Sequence, residues 1–261
     1  MTNTPIFSLH RGSAPLLVSL PHDGSEIPDD IAQRLAPDAR KAPDTDWWVS
    51  RLYAFAKELG ASILVPRHSR YVVDLNRPPD DTSLYPGQNT TGLCPIVQFS
   101  GAPVYLEGGE PDVAEIARRV DVYWRPYHQA LQDELKRIRD LHGRAVLWEG
   151  HSIRGELPFL FEGRLPDFNL GTVGGASCRP ELQRRLEAVL EAQTDHTHVV
   201  NGRFKGGYIT RHYADPASGI DAVQLELAQR TYMDEQRVEW DDHKAQRLQQ
   251  VLQALLETAL D

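Results

Sequence analysis

Four short apolar runs lie far apart in this chain, with amphipathic stretches between them, and together they point to a layered fold. "APLLVSL" (14–20), "ASILVPR" (61–67), "RAVLWEGHS" (144–152) and "DAVQLELAQ" (221–229) have the length and composition of buried or half-buried strands. "YVVDLN" (71–76) is a further candidate strand, and 197–214 carries strand and turn signals. Helical spacing of apolar residues marks 44–60, with Asp44 as a candidate cap and Gly60 at the exit. The same spacing predicts helices over 179–193 and 240–260, and one over 111–143 interrupted near Pro126. Apolar strands alternating with helices predict an α/β fold with a mixed, mostly parallel sheet flanked by helices. With no internal repeat and no linker, residues 1–261 read as a single domain. From Arg77 to about Gly109 the pattern dissolves into Pro, Gly, Asp and Thr, and a loop of that length is a candidate lid.

Composition removes several classes of function. No run of 18 apolar residues exists, so no membrane-spanning helix is expected, and the first residues show no signal-peptide pattern. A net charge of −9 argues against a nucleic-acid surface, although local arginines can still attract a small anion. Two cysteines, Cys94 and Cys178, form neither a disulfide framework nor a CxxC site and fit a reducing cytoplasm. Nothing in the pattern indicates an oligomeric state.

Ligands in open α/β sheets bind beyond the carboxyl ends of the strands. Two histidines fall there, His22 after "LLVSLP" and His151 after "AVLWEG". A histidine in a turn needs no duty, but two at strand ends with a nearby acid match the three-ligand pattern of catalytic zinc. The acid is Asp46 or Glu26, and Glu149 could orient His151 from behind. Arg67, Arg70 and Arg77 with Asn76 form one basic cluster; Arg203, Lys205 and Arg211 form another around Gly206–Gly207. Two such clusters in an acidic chain suit a small diacid. On the alternating strand 221–229, Gln224 and Glu226 share one face, and Glu226 there is a candidate general base or an arginine's partner.

"PHDGSEIP", "DTDWW", "VDLNRPP", "HS" after a strand, "PDFNLGT", "GGYITRHY" and "QLELAQRTYM" occur in this order over roughly residues 14 to 255. The ordered set resembles the N-formylglutamate deformylase (amidohydrolase) family, distantly related to zinc carboxypeptidases and aspartoacylases. The resemblance implies a three-layer phosphorylase/hydrolase-like fold and metal-dependent hydrolysis of N-formyl-L-glutamate, as in histidine degradation. It implies His22, Asp46 and His151 as ligands of one divalent metal ion, zinc first among the candidates. It also implies Asn76, Arg77 and Arg211 as substrate-binding residues and Glu226 as the catalytic base. One departure stands out: the relatives' HxxE pattern would need an acid at position 25, where this chain has Ser25. Another N-acyl amino acid or peptide as substrate, or a non-catalytic dicarboxylate-binding protein, are the alternatives.

Overall fold

The computed structural model describes residues 5–84, 87 and 90–261. Its centre is a seven-stranded mixed sheet of order β1-β3-β2-β4-β7-β5-β6. The strands are β1 (Phe7–His10), β2 (Leu16–Ser19), β3 (Ser62–Pro66), β4 (Ala145–Ile153), β5 (Phe168–Gly171), β6 (His198–Val200) and β7 (Ile220–Ala228). β3, β2, β4 and β7 run parallel; β1 and β5 are antiparallel to their neighbours β3 and β7, and β6 runs parallel to β5. The helices are α1 (Asp29–Ala32), α2 (Val49–Leu52), α3 (Val113–Arg119), α4 (Arg125–His142), α5 (Pro180–Ala192), α6 (Tyr208–Tyr213) and α7 (Asp242–Leu260).

Alternate side chains of the strands feed two cores. Val18, Val146, Trp148, Val223, Leu225 and Leu227 pack with the apolar faces of α5 and α7, while Leu17, Leu64, Leu147 and Ala222 pack with α4 on the opposite side. Every residue of β4 is buried, as a central strand covered on both faces requires. The sheet is therefore flanked by helices on both faces, and the C-terminal ends of the four parallel strands open to one edge.

Several local expectations need correction. The stretch 44–60 is not one helix: it yields only α2 and a 3-10 turn at Ala54–Lys57, because Trp48 takes a left-handed φ of 58°. Asp44 caps nothing; its carboxylate accepts from the Tyr71 hydroxyl and the Phe99 N–H. Residues 71–76 form turns rather than a strand, since Asp74 accepts from the Asn76 N–H and bends the chain. The stretch 197–214 holds β6 but ends in helix α6. The helix over 111–143 is realised as α3 and α4 joined by a π-helical turn at Val120–Trp124, which absorbs the misfit just before Pro126. Part of the proposed lid, residues 85, 86, 88 and 89, lies outside the described residues.

His128 of α4 braces the loop that carries the site. Its ring stacks on Trp124, Nε2–H donates to the Leu75 carbonyl at 2.9 Å, and Nδ1 accepts from the Tyr213 hydroxyl at 2.9 Å. Burial pushes its imidazole down to about 3. The unfolded chain takes up a proton here below about pH 6.5 while the folded chain does not until near 3, so stability falls as pH drops through that window. At pH 5 the loss amounts to about 2 kcal/mol relative to neutral pH. Denaturant unfolding at pH 7 and pH 5 checks this: the difference between the two should shrink by about that amount in His128→Gln.

Candidate active site

The edge formed by the ends of β2, β3, β4 and β7 bounds a cleft open to solvent. Its lining includes His22, Asp46, Arg70, Asn76, Arg77, His151, Arg203, Gln224 and Glu226. β2 ends at Ser19 and the turn after Pro21 turns His22 inward; the His22 carbonyl accepts from the Asp46 N–H at 3.0 Å, which ties the two segments together. His151 and Glu226 are direct partners on the adjacent strands β4 and β7, so both project to the same face.

His22, Asp46 and His151 are all buried, and one potential ligand atom from each lies within 4.8 Å of the others. The hydrogen bonds say which atoms these are. His22 Nε2 is held by Asp74 Oδ1 at 2.7 Å, leaving Nδ1 3.8 Å from Asp46 Oδ2, too far for a hydrogen bond. His151 Nε2 is held by Glu149 Oε1 at 2.7 Å, leaving Nδ1 3.0 Å from the same Asp46 oxygen. Both rings thus aim Nδ1 at Asp46, with a carboxylate behind each Nε2, the arrangement that fixes tautomer and ring orientation in histidine metal sites. Asp74 is gripped in turn by Arg70 at 2.6 Å, and Glu149 accepts from the Thr210 N–H and hydroxyl.

The electrostatics suit a cation. Burial, with Arg70 nearby, pushes His22 down, so its ring is neutral and keeps a lone pair to share. Burial opposes charge on His151, but Glu149 and Asp46 outweigh it and raise the ring well above its ordinary value. A metal ion bound at its Nδ1 would compete with a proton for that nitrogen. Burial would also raise Asp74, yet Arg70 and His22 hold it well below the usual carboxylate range. Glu226 is pushed up to about 8 by burial, with Asp46 and Glu149 adding repulsion against the pull of His151 and Arg70. A divalent ion among these acids would reverse that shift and leave Glu226 ionised at neutral pH. Two imidazole nitrogens and one carboxylate fit zinc.

The residues singled out in the sequence fall in different places. Glu26 is exposed and pairs with Arg67 at 2.5 Å, so the acid beside the histidines is Asp46. Asn76 accepts from the Ile209 N–H at 2.9 Å, which points its amide nitrogen to within 3.1 Å of His151 Nε2. Gly207 must be glycine here, because a Cβ would lie 2.3 Å from that amide. Arg77 lines the cleft and donates to the Thr91 and Asn76 carbonyls and the Thr91 hydroxyl, while its charge helps hold Asp74 ionised. Arg211 does not line the cleft: it lies on α6 and its Nε donates to the Gly206 carbonyl at 2.8 Å. Arg203, from the same basic cluster, does line it. Asp74 was hidden in a stretch that reads as a strand, and only the spacing Arg70–Asp74 hinted at a pair.

If the carboxylates behind the rings orient metal ligands, Asp74→Asn should weaken metal binding by about 10- to 100-fold. Zinc titration against a competing chelator reads the change, and an unchanged affinity would remove Asp74 from this role.

Residues 14–233 match the family model described as N-formylglutamate amidohydrolase. The chain is 51% identical over 256 residues to the N-formylglutamate deformylases of Pseudomonas putida and Pseudomonas aeruginosa, covering 98% of this chain and 96% of each relative. Among solved structures, the N-formylglutamate amidohydrolase from Ralstonia eutropha JMP134 aligns over 97% of both chains with a TM-score of 0.82 at 25% identity. A protein from Agrobacterium tumefaciens shares the fold at a TM-score of 0.71 and 18% identity, over 98% of this chain and 96% of its own. The ordered motifs, the α/β architecture and these matches agree, and the chain belongs to the N-formylglutamate amidohydrolase family.

Proposed function

We propose that this chain hydrolyses N-formyl-L-glutamate to formate and L-glutamate, using one divalent metal ion, zinc by the donor chemistry, at His22, Asp46 and His151. The observation that carries the reading is the meeting, in one cleft, of this cluster, the buried Glu226 beside it and the cationic side chains that a diacid needs. The 51% identical relatives bear the name of that activity.

When bound, the ion would supply Lewis acidity at the formyl group and acidify the attacking water. Glu226 takes the proton from that water as its oxygen bonds to the formyl carbon, then delivers it to the glutamyl nitrogen as the C–N bond breaks. Asp74 and Glu149 keep the two rings aimed, and Arg77 with the Asn76 amide holds a substrate carboxylate so that the formyl carbon faces the cluster. Arg211 acts from behind, bracing the Gly206–Gly207 turn through the Gly206 carbonyl. In this reading residues 1–261 are one domain of the three-layer phosphorylase/hydrolase-like type. A cytoplasmic location fits the two buried free thiols Cys94 and Cys178, and among the described residues no helix is long and apolar enough to cross a membrane.

Product release from N-formyl-L-glutamate, N-acetyl-L-aspartate and a short peptide, measured side by side, tests the substrate. Fast release from the first alone is expected; preference for either of the others would assign a different amide to this scaffold.

A further inference from the structure

N-formyl-L-glutamate carries two carboxylates, one beside the reacting nitrogen and one at the end of a two-methylene arm. The cleft offers different cations for them. Asn76 touches His151 directly and Arg77 follows it in the chain, so this pair lies beside the reaction centre and suits the α-carboxylate. Arg70 also reaches the cleft, where it grips Asp74 at 2.6 Å and so serves the His22 side of the site. Arg203 comes from a different segment, and aromatic rings flank it. Its guanidinium lies 5.3 Å from the Phe161 ring and 5.8 Å from Phe204, and these rings pack against the buried cluster of Phe99, Ile153, Leu157 and Leu165. Phe99, Ile153, Leu160 and Phe204 themselves line the cleft.

A wall of aliphatic and aromatic side chains ending in a guanidinium matches a short methylene arm ending in a carboxylate. Aromatic faces favour a guanidinium beside them, and an arginine fork matches a carboxylate through two parallel hydrogen bonds. We propose that Arg203 is the specificity-determining residue that reads the γ-carboxylate of the substrate, with Phe204 and Leu160 covering the methylenes. This rests on the reading of the chain as an N-formylglutamate hydrolase and adds which residue selects the side chain. Gly206 and Gly207 then have a second use: they end the Arg203 segment in a tight turn whose Gly207 N–H donates to Gln224 at 2.6 Å, fixing the segment to β7.

The test compares N-formyl-L-glutamate with N-formyl-L-glutamine, which has the same shape without the terminal charge. The native enzyme should favour the acid by about 100-fold or more in kcat/KM, because an Arg–carboxylate pair is replaced by an unmatched amide. Arg203→Gln should lose about that factor on the acid, mainly in KM, while its kcat/KM on the amide stays within about threefold. Arg203→Lys should retain part of the preference, since it keeps charge but loses the fork. If Arg203→Gln keeps the native preference, or loses both substrates equally with an unchanged melting temperature, the assignment is overturned. Should Arg203→Gln fail to fold, Arg203→Lys decides: an undiminished preference there overturns it as well. A native enzyme inactive on both formyl substrates would instead overturn the function proposed above.

Discussion

Glu226→Gln should lower turnover of N-formyl-L-glutamate by about 100-fold or more while metal content and KM stay near those of the native enzyme. The substitution keeps shape and nearly keeps volume, so β7 should remain in register with His151 opposite and Val223, Leu225 and Leu227 in the core. What it removes is the ability to accept a proton from water and hand it to the leaving nitrogen. The loss must therefore appear in kcat, and in kcat/KM by the same factor, the pattern of an interaction made only in the transition state. Stability should rise or stay level, since a buried acid surrounded by Asp46 and Glu149 becomes a neutral amide. Normal turnover with metal bound would dismiss Glu226 as the base.

Asp46→Asn should have a still wider effect. Asp46 Oδ2 faces both histidines and also accepts from the Ser152 N–H at 3.0 Å. An amide in its place keeps an oxygen for that N–H but no longer offers a charged ligand, so metal affinity should fall by more than about 100-fold, beyond the range seen for residues behind the ligands. Formate release should fall with it at any metal concentration that saturates the native enzyme. The His151 ring, which Asp46 and Glu149 together hold well above its ordinary value, should come down. Its titration, followed by NMR in the metal-free protein, separates loss of charge from loss of fold. Full metal content and full activity in this variant would remove Asp46 from the ligand set.

The two variants probe residues that were legible in the sequence for different reasons. Glu226 stands out because a carboxylate on an alternating apolar strand has few uses, and the pairing of β7 with β4 puts it beside His151. His22 and His151 stand out by position at strand ends. Asp46 could not be told from Glu26 by spacing; the choice depends on the tie from the Asp46 N–H to the His22 carbonyl, which keeps Asp46 beside the histidines while Arg67 holds Glu26 at the surface. Asp74 was masked by its context, since alternation in "YVVDLN" imitates a strand until tertiary bonds to Arg70 and His22 decide otherwise. Arg203 and Arg211 belong to one basic cluster, and only the helical start at Tyr208 separates the one that lines the cleft from the one that does not. Of the sheet, the parallel centre was readable as apolar runs. The short β1 and β5 lack enough length to show a period of their own.

The most direct test of the proposed chemistry is formate release from N-formyl-L-glutamate by protein stripped with a chelator, dialysed, and then supplied with zinc in measured steps. The expected result is negligible release before addition and recovery that levels off near one ion per chain. Undiminished release by the stripped protein would contradict a metal held by His22, Asp46 and His151 as the basis of catalysis.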